Sequence, residues 1–157
     1  MNDKEVHNDH SIEVYWETYK DLDCIYAKLA KACGLSEGEY WTLIMIKEGC
    51  STQSEIRDQL PINKQTIHSA IKQLIKKGLI RLEIKEGDQR EKQILVTEEG
   101  QDFIKRYIDS MLQLEKNAWN AMDKEEQRYL ITISQKYNAL LESELEKYLK
   151  SAKEEQR

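Results

Sequence analysis

Little in this chain breaks a helix. It has one proline, Pro61, and six glycines in 157 residues, so long uninterrupted helices are expected. Three cysteines, Cys24, Cys33 and Cys50, are too few and too scattered for a disulfide framework, and no two form a C-x-x-C pair. The three histidines stand at no ligand spacing from the cysteines or from one another, so neither a metal nor a cofactor is expected. No apolar run approaches the roughly 20 residues that cross a bilayer. The opening MNDKEVHNDHS is polar and acidic rather than an apolar leader. A cytoplasmic protein with no membrane partner is therefore expected. Catalytic signatures are missing too: no nucleophile elbow, phosphate loop, H-E-x-x-H pair or carboxylate pair in a plausible pocket is read, so an enzyme is not expected.

What the chain has in quantity is charge, and it is segregated. The net charge is −5. Between Ile62 and Lys92, however, Lys64, Lys72, Lys76, Lys77, Arg81, Lys85, Arg90 and Lys92 stand against Glu83, Glu86, Asp88 and Glu91. That window carries 8 − 4 = +4 and the remainder −9. A basic surface on an acidic body is steered toward phosphates without indiscriminate adhesion.

Apolar periodicity and caps divide the chain into helices around this window. Ile12, Tyr15, Trp16, Tyr19, Leu22, Ile25, Tyr26 and Leu29 recur at helical spacing from Ile12 to Ala32. Ser36 and Glu39 have capping-box spacing and open a helix to about Lys47; Thr52 and Glu55 repeat it for a short helix to about Gln59. Asn63 caps the next helix, whose stripe is Ile67, Ile71, Leu74 and Ile75 and which stops at Gly78. Strand-like runs at Leu79–Ile84 and Ile94–Val96 flank a turn at Glu86-Gly87-Asp88. Thr97 starts a helix to about Ala121, and Asp123 with Glu126 starts another that runs to a frayed tail after Ser151. The pair of helices on either side of Pro61, followed by a hairpin, reads as a helix-turn-helix with a basic wing. The expected fold is mainly α with a small β wing: a winged helix-turn-helix head at 36–100 and long helices at 11–33 and 101–150, in a single chain of 1–157. The terminal helices are too apolar to stand alone, so both are assigned to a homodimer interface through Ile12, Leu130, Ile133, Tyr137, Leu141 and Leu145.

Two passages carry a family resemblance. Asp88-Gln89-Arg90 followed by Val96-Thr97-Glu98-Glu99-Gly100 is similar to the D-x-R wing and L-T-x-x-G exit of the multiple-antibiotic-resistance regulators, the MarR family of winged-helix transcription factors. Ile71-Lys72-Gln73-Leu74-Ile75-Lys76-Lys77-Gly78-Leu79-Ile80 resembles that family's L-E-K-K-G-L-[IV] passage from recognition helix to wing. The order of elements agrees from about Ser11 to Leu149. Val96 replaces the usual Leu, Ile75 stands where Glu is common, and Glu91 lies beside the wing arginine.

The resemblance implies a sequence-specific DNA-binding regulator, a repressor by family habit, acting as a homodimer on a palindromic operator in double-stranded DNA. Lys64, Gln65, Thr66 and Ser69, early in the recognition helix, are assigned to base edges, because Gln suits adenine, Lys guanine, and a Thr methyl thymine. Ser54, His68, Lys72, Arg81, Lys85 and Lys92 are assigned to phosphates. Arg90 is assigned to the minor groove or a phosphate, with Asp88 orienting it by a bidentate pair. The family further implies a small aromatic or anionic effector, for which Tyr15, Trp16, Tyr19, Tyr26, Trp41, Phe103 and Tyr107 are the candidate lining. Two alternatives stand beside this reading: a winged-helix protein-interaction module without DNA binding, and a cysteine-based redox sensor. For the latter, Cys24 is expected to be buried and inert, and Cys33 and Cys50, at helix ends, to be the more exposed pair.

Overall fold

The computed structural model describes residues 10–85 and 88–155, with backbone alone at 85, 88–91 and 155. The elements follow in the order α1 (Ile12–Ala32), α2 (Glu37–Lys47), α3 (Gln53–Gln59), α4 (Lys64–Lys76), β1 (Ile80–Lys85), β2 (Asp88–Val96), α5 (Glu98–Phe103), a π-helical turn (Ile104–Ile108), α6 (Asp109–Ala121) and α7 (Lys124–Glu155). The expected caps are formed. The Ser36 and Thr52 side chains accept from the N–H groups of Glu39 and Glu55 while the two glutamates reach back, completing both capping boxes. Asn63 Oδ1 accepts from the Thr66 N–H at 2.8 Å. Gly34, Gly49 and Gly78 adopt positive φ just past α1, α2 and α4, the backbone state that ends a helix at low steric cost.

Residues Met1–Met111 form one compact unit. Its core joins α2, α3, α4 and the wing base through Leu43, Ile56, Ile67, Leu74 and Ile80, all fully or almost fully buried. The strands pair antiparallel, Ile80 opposite Val96 and Leu82 opposite Ile94, with an irregularity between Ile84 and Lys85. The Ile94 N–H donates to the Ser51 carbonyl at 2.7 Å, tying the wing to the α2–α3 loop.

The V-T-E-E-G passage acts as a clamp on the end of α4. Thr97 Oγ1 donates to the Gly78 carbonyl at 2.5 Å and accepts from the Gly100 N–H at 2.9 Å. The Thr97 N–H donates to the Leu79 carbonyl at 3.1 Å. Gly100 is obligatory here, because a Cβ would overlap the Leu79 carbonyl oxygen and lie 2.8 Å from its carbon.

Leu112–Arg157 form the second unit, with the boundary inside α6. Asp123 Oδ1 caps α7 by accepting from the Glu125 and Glu126 N–H groups, and the buried Gln127 side chain donates to the Trp119 carbonyl at 2.7 Å. Along α7, Leu130, Ile133, Leu141 and Leu145 are exposed, Ile133 by 62%, and Tyr137 is half-buried. Ile12 on α1 is exposed as well. Among the described residues no helix is long and apolar enough to cross a membrane.

Four expectations need correction. The helix expected from Thr97 to Ala121 is interrupted by the π-turn, in which the Asp109 N–H reaches back to Ile104; the wider turn leaves Ile108 fully buried. Strand β2 starts at Asp88, well before Ile94, because backbone pairing extends a two-stranded ribbon even where side chains show no apolar alternation. The tail is helical to Glu155, where Ala, Lys and Glu are good helix formers and Ser151 Oγ donates to the Lys147 carbonyl. The thiols are reversed: Cys24 is exposed, whereas Cys33 and Cys50 are buried. The latter two close helices that pack into the head core, and burial pushes both thiols up, with Glu55 and Glu48 adding to the effect at Cys50. The turn residues Glu86 and Gly87 lie outside the described residues.

Candidate nucleic-acid interface

Helices α3 and α4 are joined by Leu60, Pro61, Ile62 and Asn63, and α4 packs Ile67, Ala70, Ile71 and Leu74 inward. Its remaining side chains from Lys64 to Ile75 divide between two hollows, one on each flank.

The first, about 520 Å³, lies between α3, α4 and the wing. It brings together Ser54, Lys64, His68, Lys72 and Lys92, five of the residues picked from sequence. It also contains Arg57, which that reading missed because the basic window was taken to start at Ile62. Arg57 donates to Ser54 Oγ at 2.9 Å and pairs with Asp58 at 3.3 Å. Its signal was its i+3 spacing from Ser54 on the same short helix. Among the described residues, no carboxylate lines this hollow.

The second, about 510 Å³, lies between α4 and the start of α2 and contains Gln65, Thr66, Ser69 and Gln73 beside Glu37 and Glu39. The four residues assigned to bases are therefore split, with Lys64 on the cationic flank and the other three on the flank that carries Glu37 and Glu39. Thr66 is partly committed: its hydroxyl donates to Asn63 Oδ1 at 3.0 Å, and its methyl lies 3.2 Å from where a Cβ on Gly38 would stand.

Two cations of the basic window are already paired. Lys77 Nζ meets Glu39 at 3.0 Å and the Gly34 carbonyl at 2.9 Å, joining the end of α4 to the start of α2. Burial pushes the Glu39 carboxyl up, but the Ser36 N–H, the Lys77 ammonium and the Ser36 hydroxyl outweigh it and hold the group below the usual carboxylate range. Arg81 pairs with Glu83, two residues along the same face of β1. Strand alternation puts that face opposite Leu82 and Ile94, away from the first hollow. The side chains of Lys85, Asp88 and Arg90 lie outside the described residues.

Four of the seven aromatic candidates form two ring pairs. Tyr26 and Trp41 rings are 5.1 Å apart, and Phe103 and Tyr107 rings 4.8 Å apart, with Arg106 over Tyr107 at 5.3 Å. Tyr15, Trp16 and Tyr19 are exposed on α1. None of these seven lines either hollow. Ser36 stands in a G-x-S-x-G string, Gly34 to Gly38, that the sequence reading passed over. It sits between two helices, not on a strand-to-helix elbow, and its hydroxyl is held by the α2 cap.

These elements define a winged helix-turn-helix. Residues 34–91 match the MarR family model. No curated protein matches significantly. Among solved structures, a MarR family regulator of Neisseria meningitidis is 20% identical with a TM-score of 0.69, covering 87% of this chain and 98% of its own. MepR of S. aureus, solved as a DNA complex, is 17% identical with a TM-score of 0.68, covering 85% and 99%. BpsR of Bordetella bronchiseptica, described through regulation of its DNA binding by 6-hydroxynicotinic acid, is 13% identical with a TM-score of 0.65, covering 84% and 95%. The winged head thus carries the sequence pattern of the MarR family, and the chain has the fold of its regulators.

Proposed function

We propose that this protein is a homodimeric, sequence-specific transcriptional repressor that binds a palindromic operator in double-stranded DNA in the cytoplasm. The observation that carries the reading is the exposed surface of α4, where Lys64, His68 and Lys72 stand toward the wing base and Gln65 and Ser69 toward the start of α2. Gln65 and Ser69 are the base-reading candidates, and Ser54, Arg57, Lys64, Lys72 and Lys92 supply phosphate contacts. Arg90 and Asp88 keep the minor-groove role their motif implies. The exposed apolar stripes on α1 and α7 supply the dimer contact. A small aromatic or anionic effector, of the kind BpsR is described with, releases the DNA by favouring a head separation that mismatches successive major grooves, about 34 Å apart. Selection of bound duplexes from a random pool tests this directly. Recovery of inverted half-sites one helical turn apart is expected; failure to enrich any duplex in low salt favours an interaction module instead.

One observation favours cysteine control as a second reading, namely the exposure of Cys24. If it operates, peroxide weakens operator binding by the wild type but not by Cys24→Ser.

A further inference from the structure

The apolar face of the wing extends further than the core that covers it. Strand alternation sets Ile80, Leu82 and Ile84 on one face of β1, with Val96, Ile94 and Lys92 opposite them on β2. Exposure on that face climbs from 2% at Ile80 through 37% at Leu82 to 65% at Ile84. Leu82 still shares the floor of the first hollow with Ile75, whereas Ile84 lies further along β1 toward the turn. The reverse face carries Arg81 and Glu83, already joined to each other. Single exposed apolar side chains are ordinary. A branched one far out on a two-stranded ribbon nevertheless invites self-association unless something covers it. The surrounding charge identifies the cover. Lys92 stands opposite Ile84, and Lys64, Lys72 and Arg57 continue the cationic rim toward α4. The complementary partner is therefore a polyanion that meets the wing and α4 along one surface.

A duplex offers such a cover. With α4 in a major groove, the adjacent minor groove lies half a helical turn away, about 17 Å. Four residues of strand carry Ile84 about 13 Å out from Ile80 at the wing base, most of that distance. An aliphatic side chain gains nothing from phosphates, but it can pack on the floor and sugar walls of a minor groove. There a G·C pair differs from an A·T pair by the projecting guanine amino group, while the ring-nitrogen and carbonyl acceptors are common to both and cancel. Isoleucine would bury that amino donor without a partner, at a cost. We propose that Ile84 joins Arg90 in the minor groove and excludes G·C pairs from the operator flank, which makes it a specificity-determining residue of the wing. Arg90 responds to the negative potential of the groove, and Ile84 to the absence of the amino group. This role rests on the duplex binding proposed above.

The test uses the full chain and the duplex selected from the random pool, with the flank outside each half-site built in turn from A·T, G·C and I·C pairs. Inosine lacks only the guanine amino group, so I·C keeps the major-groove edge of G·C and takes the minor-groove floor of A·T. The wild type should bind the G·C flank about tenfold more weakly than the A·T flank and recover to within about twofold on I·C. Ile84→Thr keeps the branched shape and adds a hydroxyl that can accept from the amino group. It should cut the preference to about twofold or less, while Ile84→Val keeps it. Because Ile84 is exposed, both variants should melt as the wild type does. Arg90→Ala should weaken every duplex yet leave the preference intact. The proposal is overturned if I·C binds as weakly as G·C, if the preference survives Ile84→Thr, or if it vanishes with Arg90→Ala. Duplex binding that ignores the flank overturns this role alone; a chain that binds no duplex overturns the proposed function and this role together.

Discussion

Gly100→Ala is the sharpest structural test of the wing clamp. The new methyl would overlap the Leu79 carbonyl oxygen and stand 2.8 Å from its carbon and 2.9 Å from Val96 Cγ1. Carbon atoms rest about 3.5–4.0 Å apart, so the strand exit and α5 must separate by about 1 Å. That motion takes the Thr97 N–H to Leu79 bond, now 3.1 Å, to about 4 Å, beyond useful range. It also strains the Thr97 hydroxyl between the Gly78 carbonyl and the Gly100 N–H. Overpacking of this kind costs about 1–3 kcal/mol, and each lost hydrogen bond about 1 kcal/mol. The better helix propensity of alanine returns about 1 kcal/mol. A net loss of about 1–3 kcal/mol remains, which for a chain of this size lowers Tm by roughly 2–12 °C. Thermal melts followed at 222 nm read this directly. Gly34→Ala is the control: its φ of +71° strains an alanine, but nothing lies within 4 Å of the new methyl, so a smaller loss of about 1 kcal/mol is expected. A Gly100→Ala melt within about 1 °C of wild type would refute the clamp as a tight constraint.

Other outcomes follow from the same geometry. Because Glu39 is held below its ordinary value, its contribution to stability is present above the unfolded carboxylate pKa and is lost as pH falls through the depressed folded one; denaturant melts of wild type and Glu39→Gln should therefore converge between pH 7 and pH 3, and a constant gap would show that charge is not the cause. Gln65→Ala should lose about 1–3 kcal/mol of discrimination on the selected operator, with an equal loss on scrambled duplex counting against base reading. Arg90→Ala should weaken all duplexes alike and reduce the slope of log K against log salt by about 1, which a salt titration measures. Leu141→Glu places a charge in the exposed stripe of α7 and should shift sedimentation from dimer to monomer; an unchanged dimer would move the interface elsewhere.

Local chemistry determined most of the fold from sequence alone. Ser36, Thr52, Asn63, Thr97 and Asp123 each satisfy N–H groups three residues away at most, so their helix starts are legible without knowing what packs on them. The stripe of Ile67, Ile71 and Leu74 and the stop at Gly78 are equally local. The wing motif was legible too, but the side chains of Asp88 and Arg90 stay with sequence evidence.

Tertiary structure decided what depends on neighbours distant in the chain. Lys77 counted as a free charge in the basic window until Glu39, 38 residues away, was found against it. The thiols exchanged places because exposure depends on which face a helix end turns to the core, and spacing along one helix does not encode that. The division of α4 into a cationic flank and one that carries Glu37 and Glu39 arises where α3 with the wing meets one side and the start of α2 the other. Arg57 joined the site, and Ile75 and Leu82 became the floor of a hollow, by the same long-range packing. Periodicity says that a side chain leaves the core; only the packed elements around it determine what it then faces.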